Sequence, residues 1–372
     1  MSAPRRIGLN ATCFNDRPSG ARQRFIGLYS ALMARRPDDR FIVYEPADCR
    51  VARWFERPNV EARPTPLPSD RRWPRFLGGL AYWQGALATD RLDLFEQFNL
   101  PGAFGARCPT VMTVHDFDSD RSGPLQRRVE RLVFAPLVRR ADVALAVSDQ
   151  VADALRRRVP GQRVERIHNG IDLTAWPLAP AAARRPFLLA VGHLEARKNY
   201  ARLIAAFARL RARHPDLALR IVGRDSGERA TLDALIERLS LGNSVVIESG
   251  LDDAEVRALY ATCLGFIFPS LFEGFGIPLL EAMASGAPMA ISDLPVFREI
   301  VGEAALMFDP TDEETIAASL ERLVGDAPVR VTLAGDGRAR AEQFDYDRLA
   351  LELAALHDRL LEPRAMRVGD ER

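Results

Sequence analysis

Two tandem series of short apolar runs, each run followed by a stretch with helical spacing, are what most constrain the fold of this chain. The first series falls at residues 7–11, 41–44, 92–95, 110–114, 143–147 and 164–167. The second falls at 187–191, 219–222, 245–247, 265–268 and 289–291. Runs of this length separated by helices predict parallel strands, because a strand covered by helices on both faces has no polar side. The alternation therefore implies doubly wound α/β sheets. A proline-rich stretch at 176–180 with an Ala-Arg run behind it places a linker near 172–185. The expected domains are 1–175 and 185–344, followed by a last helix over about 345–362. A chain of 372 residues, 47% hydrophobic, has the material for two cores of ordinary size. Residues 56–75 carry five prolines and several arginines and predict an irregular surface segment. Residues 364–372 are charged and predict a frayed end.

One stretch of the second series carries chemistry. Residues 264–268 read as a buried strand closed by Pro269, and Glu273-Gly274-Phe275-Gly276 forms a loop whose glycines let backbone N–H groups approach a ligand. Pro278 suits the first turn of a helix, and Gly286 with Pro288 suits its end. A strand, a glycine loop and a helix N-terminus in that order make an anion site. Glu273 in the loop and Glu281 one turn into the helix would be repelled by a phosphate, so they suit hydroxyls on either side of one. A ligand with phosphates in the middle and polyols at its flanks is a nucleotide sugar. An isolated pair of glutamates could equally be a loop acid and a helix acid favouring its own dipole.

The surrounding residues decide between these. Phe-Pro-Ser-x-x-Glu273-Gly-Phe-Gly-x-Pro-x-x-Glu281-Ala-Met-Ala-x-Gly, continued by Ser292-Asp-Leu-Pro-Val-Phe-Arg-Glu299, resembles the E-x7-E signature of retaining glycosyltransferases of family 4, which have the GT-B fold. The resemblance implies two Rossmann-like domains facing a cleft, with a nucleotide-sugar donor held mostly by the second. It implies that Glu281 accepts from the ribose and Glu273 from a sugar hydroxyl, while Gly274, Phe275 and Gly276 offer backbone N–H groups. It also implies that the final helix crosses back onto the first domain, beginning at Phe344-Asp-Tyr-Asp-Arg348. The chain also resembles mannosyltransferases of surface polysaccharide assembly, which favours GDP-mannose over a UDP-hexose.

Three further segments could touch the donor. Gly192-His-Leu-Glu-Ala-Arg197-Lys198-Asn199 follows the first strand of the second series, and its two cations could offset a diphosphate. Lys198 is the single lysine among 51 basic residues, so a merely solvated Arg-Lys pair is the poorer account of it. The segment resembles the family's phosphate loop, with His193 where many relatives carry Arg. His115, in Val114-His-Asp116, stands at the carboxyl end of a predicted strand, where a site role and a structural one are equally open. The resemblance favours contact with the transferred sugar. Gly20, in the loop after the first strand, resembles the family's donor-phosphate glycine loop with its second glycine missing. Arg22 and Arg24 beside it could reach anionic groups, but two solvated arginines opening a helix is the commoner arrangement.

Composition narrows the rest. Nothing spells G-x-G-x-x-G, G-x-x-x-x-G-K-[ST] or G-x-S-x-G, against dehydrogenase, P-loop and hydrolase readings. Cys13, Cys49, Cys108 and Cys263 have no metal-type spacing, so a reduced cytoplasmic compartment, no metal and no cofactor are expected. No apolar run is long enough to span a membrane and the start lacks a signal-peptide pattern. Residues 1–166 hold 28 basic and 19 acidic side chains against 23 and 31 in the remainder. The basic half, with Arg127, Arg128, Arg131, Arg139 and Arg140 near Val129, Leu132, Val133 and Phe134, could contact the inner face of an anionic membrane peripherally. An Arg-rich solvated helix face is an equal reading. No nucleic-acid motif accompanies the charge, and a polynucleotide partner is not expected. The sequence thus points to a metal-independent retaining hexosyltransferase acting on a glycan or lipid-linked glycan. A GT-B sugar-nucleotide epimerase and a non-catalytic nucleotide-sugar-binding protein are the rivals.

Overall fold

The computed structural model describes residues 4–98, 105–115, 135–176, 178 and 183–362. Asp116 and residues 127–134 of the expected membrane-facing cluster lie outside them, whereas Arg139 and Arg140 of that cluster lie within and are exposed. The chain forms two units, Met1–Gly170 with Tyr346–Arg372, and Ile171–Asp345. It leaves the first unit a few residues before the expected linker and returns at Tyr346, at the start of the last helix.

The first unit is a seven-stranded, wholly parallel sheet in the order β3-β2-β1-β4-β5-β6-β7. Its strands are β1 (Arg6–Asn10), β2 (Arg40–Glu45), β3 (Val60–Pro64), β4 (Leu94–Gln97), β5 (Thr110–Val114), β6 (Val143–Ala146) and β7 (Val164–Arg166). Strand β3 corrects the expectation of an irregular segment over 56–75. It is an edge strand with mostly exposed side chains, so it shows no apolar run, and its one proline, Pro64, is its last residue, where an edge tolerates it. Strand β4 starts at Leu94, two residues later than the apolar pattern suggested.

Helices α1 (Gly20–Arg35), α2 (Arg72–Thr89), α3 (Ala135–Val138) and α4 (Asp149–Arg158) connect these strands. Ser19 caps α1 by accepting from Arg22 N at 3.2 Å, so Gly20 opens a helix and does not sit in a loop. The correction at Arg24 is larger. It is 3% exposed, and its Nη1 donates to the His168 carbonyl at 2.9 Å, so the pair of solvated arginines is not what forms. Arg22 lies 4.6 Å over the ring of Trp54.

The second unit has six parallel strands in the order β10-β9-β8-β11-β12-β13. These are β8 (Arg185–Val191), β9 (Ala218–Val222), β10 (Val245–Glu248), β11 (Cys263–Phe268), β12 (Met289–Ser292) and β13 (Leu306–Phe308). Helices α5 (Tyr200–Arg211), α6 (Arg229–Arg238), α7 (Asp253–Thr262), α8 (Ile277–Ala284), α9 (Pro295–Val301), α10 (Glu313–Gly325) and α11 (Ala327–Ala341) cover it. The core joins Leu188, Ala190, Ile221 and Ile267 of the sheet to Leu203, Phe207 and Leu320 of the helices. Gly265 is a strand glycine because a Cβ there would run into the Leu323 side chain.

Helix α12 (Tyr346–Leu361) completes the first unit. Its Leu349, Leu353, Leu356 and Leu360 recur at helical spacing and join the core of α1 and the sheet. One polar group sits among them. His357 Nε2 lies 2.9 Å from Glu96 Oε1 of β4, and Glu96 Oε2 accepts from Tyr29 at 2.6 Å. Burial of all three requires that pairing, since a lone carboxylate there would be very costly.

Candidate functional site

The strand order fixes where a ligand can enter the second unit. The order reverses between β8 and β11, and open α/β sheets bind ligands outside the carboxyl ends of the strands at that point. The loops that leave these two strands are 192–199 and 269–276, the segments singled out from the sequence.

The first loop turns sharply. Gly192 has φ +151°, and its N–H donates to Val222 O at 2.9 Å while its carbonyl accepts from Tyr200 OH at 3.1 Å. A short 3-10 turn, Ala196–Lys198, then ends at Asn199 with φ +60°, a left-handed position that Asn tolerates better than most residues. Asn199 Nδ2 donates to the carbonyls of Pro269 (3.0 Å) and Pro310 (2.7 Å). Leu271 N donates to Arg197 O at 2.8 Å. One backbone hydrogen bond and the Asn199 side chain thus tie the two loops together.

Their side chains form one ionic cluster. Glu273 Oε1 accepts from Lys198 Nζ at 2.6 Å and from Ser270 Oγ at 2.9 Å. Glu273 Oε2 lies 2.7 Å from Arg197 Nη1, and Arg197 Nη2 lies 2.6 Å from Glu195 Oε1. Lys198 is 6% exposed and Glu273 8%, and the ammonium sits 4.8 Å from the Phe268 ring centroid. Burial alone would raise the Glu273 pKa, but the charges of Lys198 and Arg197 outweigh it and hold the carboxyl below its usual range. Arg197 is held above its own usual value by Glu273 despite its burial. The two cations expected to meet phosphate are thus paired with Glu273, the carboxylate expected to meet a hydroxyl, and Glu195 supplies the second negative charge.

Glu281 occupies the fifth residue of α8, 9% exposed, and accepts from Tyr260 OH at 2.9 Å. Tyr260 is fully buried between Trp176 and Phe266. Helix α8 begins after Gly276 (φ +103°), with Pro278 in its first turn, and Gly286 (φ +64°) follows its last residues. The Gly274, Phe275 and Gly276 loop is buried, with the Phe275 ring edge-on to Phe344 at 6.3 Å. Sequence reasoning missed Ser270, Glu195, Asn199 and Tyr260. Only Asn199 left a trace, as the residue following the Arg-Lys pair.

His115 and Gly20 belong to the first unit. His115 directly follows β5, and burial, helped by the charge of Arg24, lowers its pKa from 6.5 to about 3. The ring is therefore held neutral near pH 7. Between those pH values the unfolded chain binds a proton that the folded chain refuses, so stability is full above about 6.5 and falls as the pH drops towards 3. Melting temperatures measured from neutral pH down to about pH 4.5 should fall less for His115→Asn than for the parent, and parallel curves would refute the burial of a neutral ring.

Comparison with known proteins agrees with this geometry. A model described as "Glycosyltransferase Family 4" matches residues 19–175, and one described as "Glycosyl transferases group 1" matches residues 179–340. The chain belongs to glycosyltransferase family 4. It is 31% identical over 264 residues to glycogen synthase of Mycobacterium tuberculosis, covering 67% of this chain and 63% of that protein. It is 33% identical over 165 residues to O-antigen chain mannosyltransferase B of Escherichia coli, covering 43% and 42% respectively. The chain thus spans less than two thirds of these curated relatives. The structure of Anabaena HepE in complex with UDP-glucose superposes with TM-score 0.74 at 21% identity, covering 95% of this chain and 99% of that one. This likeness gives the family-4 chain its fold: a GT-B pair of Rossmann-like units.

Proposed function

We propose that this chain transfers a hexose from a nucleoside diphosphate sugar to a hydroxyl of a glycan or lipid-linked glycan, with retention at the anomeric carbon. The observation that carries the reading is the buried Lys198–Glu273–Arg197 cluster at the switch point of the second sheet. An arriving diphosphate draws the two cations towards its oxygens, and Glu273 is released to accept from a sugar hydroxyl. Glu281 then accepts from the ribose, and the N–H groups of Gly274, Phe275 and Gly276 face the sugar and phosphate. In the reaction the anomeric carbon–oxygen bond to the phosphate breaks, and its electron pair leaves on the diphosphate. The acceptor oxygen bonds to that carbon on the same face and its proton passes to a phosphate oxygen. Lys198 and Arg197 stabilise the charge that develops on the leaving group, which is usually the largest catalytic effect in such sites. His115, neutral, suits a hydrogen bond to the transferred sugar, and Gly20 at the N-terminus of α1 suits the donor phosphates.

Mannose from GDP-mannose is the donor proposed, on the strength of the likeness to O-antigen chain mannosyltransferase B, and cell-surface polysaccharide assembly, placed on the cytoplasmic side, is the setting proposed with it. A UDP-hexose is the competitor, since HepE was solved with UDP-glucose. Thermal shifts with UDP, GDP, UDP-glucose and GDP-mannose decide between them, because a ligand at a hundred times its Kd stabilises by about 2.7 kcal/mol. GDP and its mannose ester should raise the melting temperature and the uridine ligands should not. No shift with any of the four would sink the donor site itself.

Tyr260 supports the ribose reading in a separable way. Tyr260→Phe keeps the packed ring and deletes only the hydrogen bond to Glu281. The donor KM should rise by about tenfold, the equivalent of about 1.4 kcal/mol, with kcat unchanged. A fall in kcat at unchanged KM would move Glu281 from binding to chemistry.

A further inference from the structure

The first sheet has a crevice of its own. Its strand order reverses between β1 and β4, and a ligand fits outside the carboxyl ends of the strands at such a point. Helix α1 follows β1, and His115 follows β5, the neighbour of β4. Gly20 and His115 have parts in the proposed reaction. Arg24, in the second turn of α1, has none.

Arg24 is a buried cation without an acid to answer it. It is 3% exposed, and among the described residues its side chain makes one hydrogen bond, to the His168 carbonyl at 2.9 Å, and no ion pair. Glu96, whose charge reaches it, is itself engaged by Tyr29 at 2.6 Å and by His357 at 2.9 Å. Burial lowers the Arg24 pKa from the ordinary arginine value, with the charge of Glu96 opposing. A guanidinium carries a fork of N–H donors, and most of this fork is unspent. Holding α1 to one carbonyl requires only a neutral donor. A buried, unpaired guanidinium costs far more than that single bond returns.

The neighbouring groups are polar and uncharged. The charge of Arg24 acts with burial to lower the His115 pKa, so the guanidinium and the neutral imidazole are close. Asn169, the residue after the carbonyl that Arg24 holds, is 4% exposed, and its Oδ1 has no partner among the described residues. An orphaned amide oxygen accepts from a hydroxyl, and a guanidinium fork takes two oxygens of one phosphate or carboxylate side by side. A polyol that carries an oxyanion supplies both.

We infer that Arg24 binds an oxyanion of the acceptor, either the phosphate of a sugar phosphate or the carboxylate of a uronic acid, and thereby holds the accepting hydroxyl near His115. Lys198 and Arg197 already answer the diphosphate of the donor in the second unit, so the anion that Arg24 meets belongs to the other substrate. That assignment to the acceptor rests on the proposed transfer reaction; the anion site stands on Arg24 alone.

Histidine signals report on the two units separately, because His115 lies beside Arg24 and His193 beside Lys198. The full chain, labelled at histidine and assigned from His115→Gln and His193→Gln, is titrated by NMR with inorganic phosphate and with glucuronate, before and after addition of GDP or UDP. In the parent chain His115 should shift saturably with at least one of the two anions. Arg24→Gln, which keeps a donor for the His168 carbonyl and removes the charge, should weaken that response by at least about tenfold. In anion-free buffer Arg24→Gln should melt no lower than the parent, and the anion that binds should raise the melting temperature of the parent alone. If Arg24→Gln does not fold, Arg24→Met carries the same expectations. A His115 signal unmoved by both anions, or an equal response in the variant, would overturn the inference. So would a lower melting temperature of Arg24→Gln in anion-free buffer, which would make the arginine a structural tie, and so would displacement of the anion by GDP or UDP, which would give Arg24 to the donor. Failure of the donor reading looks different: the nucleotides then leave His193 unmoved while the anion still moves His115.

Discussion

Lys198→Ala should lower kcat by on the order of 10³-fold, the loss typical when one preorganised donor is removed from developing negative charge. The expectation follows from burial. An exposed lysine beside a diphosphate would be worth little, because water screens it. Lys198 is nearly inaccessible, set against the Phe268 ring and one face of Gly192, where its charge acts through a poorly screened medium. Lys198→Arg should rescue little of the activity. A Cβ placed at Gly192 would meet Lys198 Cε at 3.2 Å and Nζ at 3.3 Å, so the slot fits a compact ammonium and has no room for a planar fork. Removing the ammonium also takes from Glu273 one of its two charged partners, which should lower the melting temperature modestly. Single-turnover rates at saturating donor separate the two effects. A Lys198→Ala protein that folds, binds donor and turns over normally would remove the lysine from the chemistry.

Much of this site could be read in the chain, and the part that could not has a common physical origin. The glycine loop, its two glutamates and the Arg-Lys pair were legible because each is a local arrangement of strand, turn and helix start. The ion pairs between them were not, because Lys198 and Glu273 stand 75 residues apart and only the sheet order brings them together. A sequence reader assigns each charge to the ligand, since the ligand is the only opposite charge in view. The same limit applies at Arg24, which looked solvated because arginines opening a helix usually are. Its burial depends on a carbonyl at His168, 144 positions away. Asn199 acts through carbonyls 70 and 111 positions away, and Tyr260 through a carboxylate 21 positions away on another helix. Strand β3 was missed for the opposite reason: an edge strand needs only backbone pairing with β2, so its side chains advertise nothing.

The second large effect is expected at a residue with no functional group. Gly223 directly follows β9, where the loops leaving β8 and β9 run against each other: Leu194 N donates to Arg224 O at 2.9 Å, and Ser226 N donates to Leu194 O at 3.1 Å. A methyl group added at Gly223 would overlap the carbonyl oxygen of Gly192, with the carbonyl carbon 2.7 Å away. Backbone on both sides cannot rotate clear as a side-chain tip could, so Gly223→Ala must push 192–194 away from β9. The cost in stability should be on the order of 1–3 kcal/mol, as for overpacked interiors. The cost in catalysis should be larger in proportion, because the displaced segment leads directly into the turn Ala196–Lys198 that presents both cations. A displacement of about 1 Å in a positioning element can reduce rates by about 10²-fold. Gly223→Ala should therefore lose donor-induced thermal stabilisation as well as turnover, whereas Gly242→Ala, with open space around its Cβ, should lose neither. If Gly223→Ala instead melts lower but binds donor and turns over like the parent, the loop after β8 is not what holds Lys198 in register.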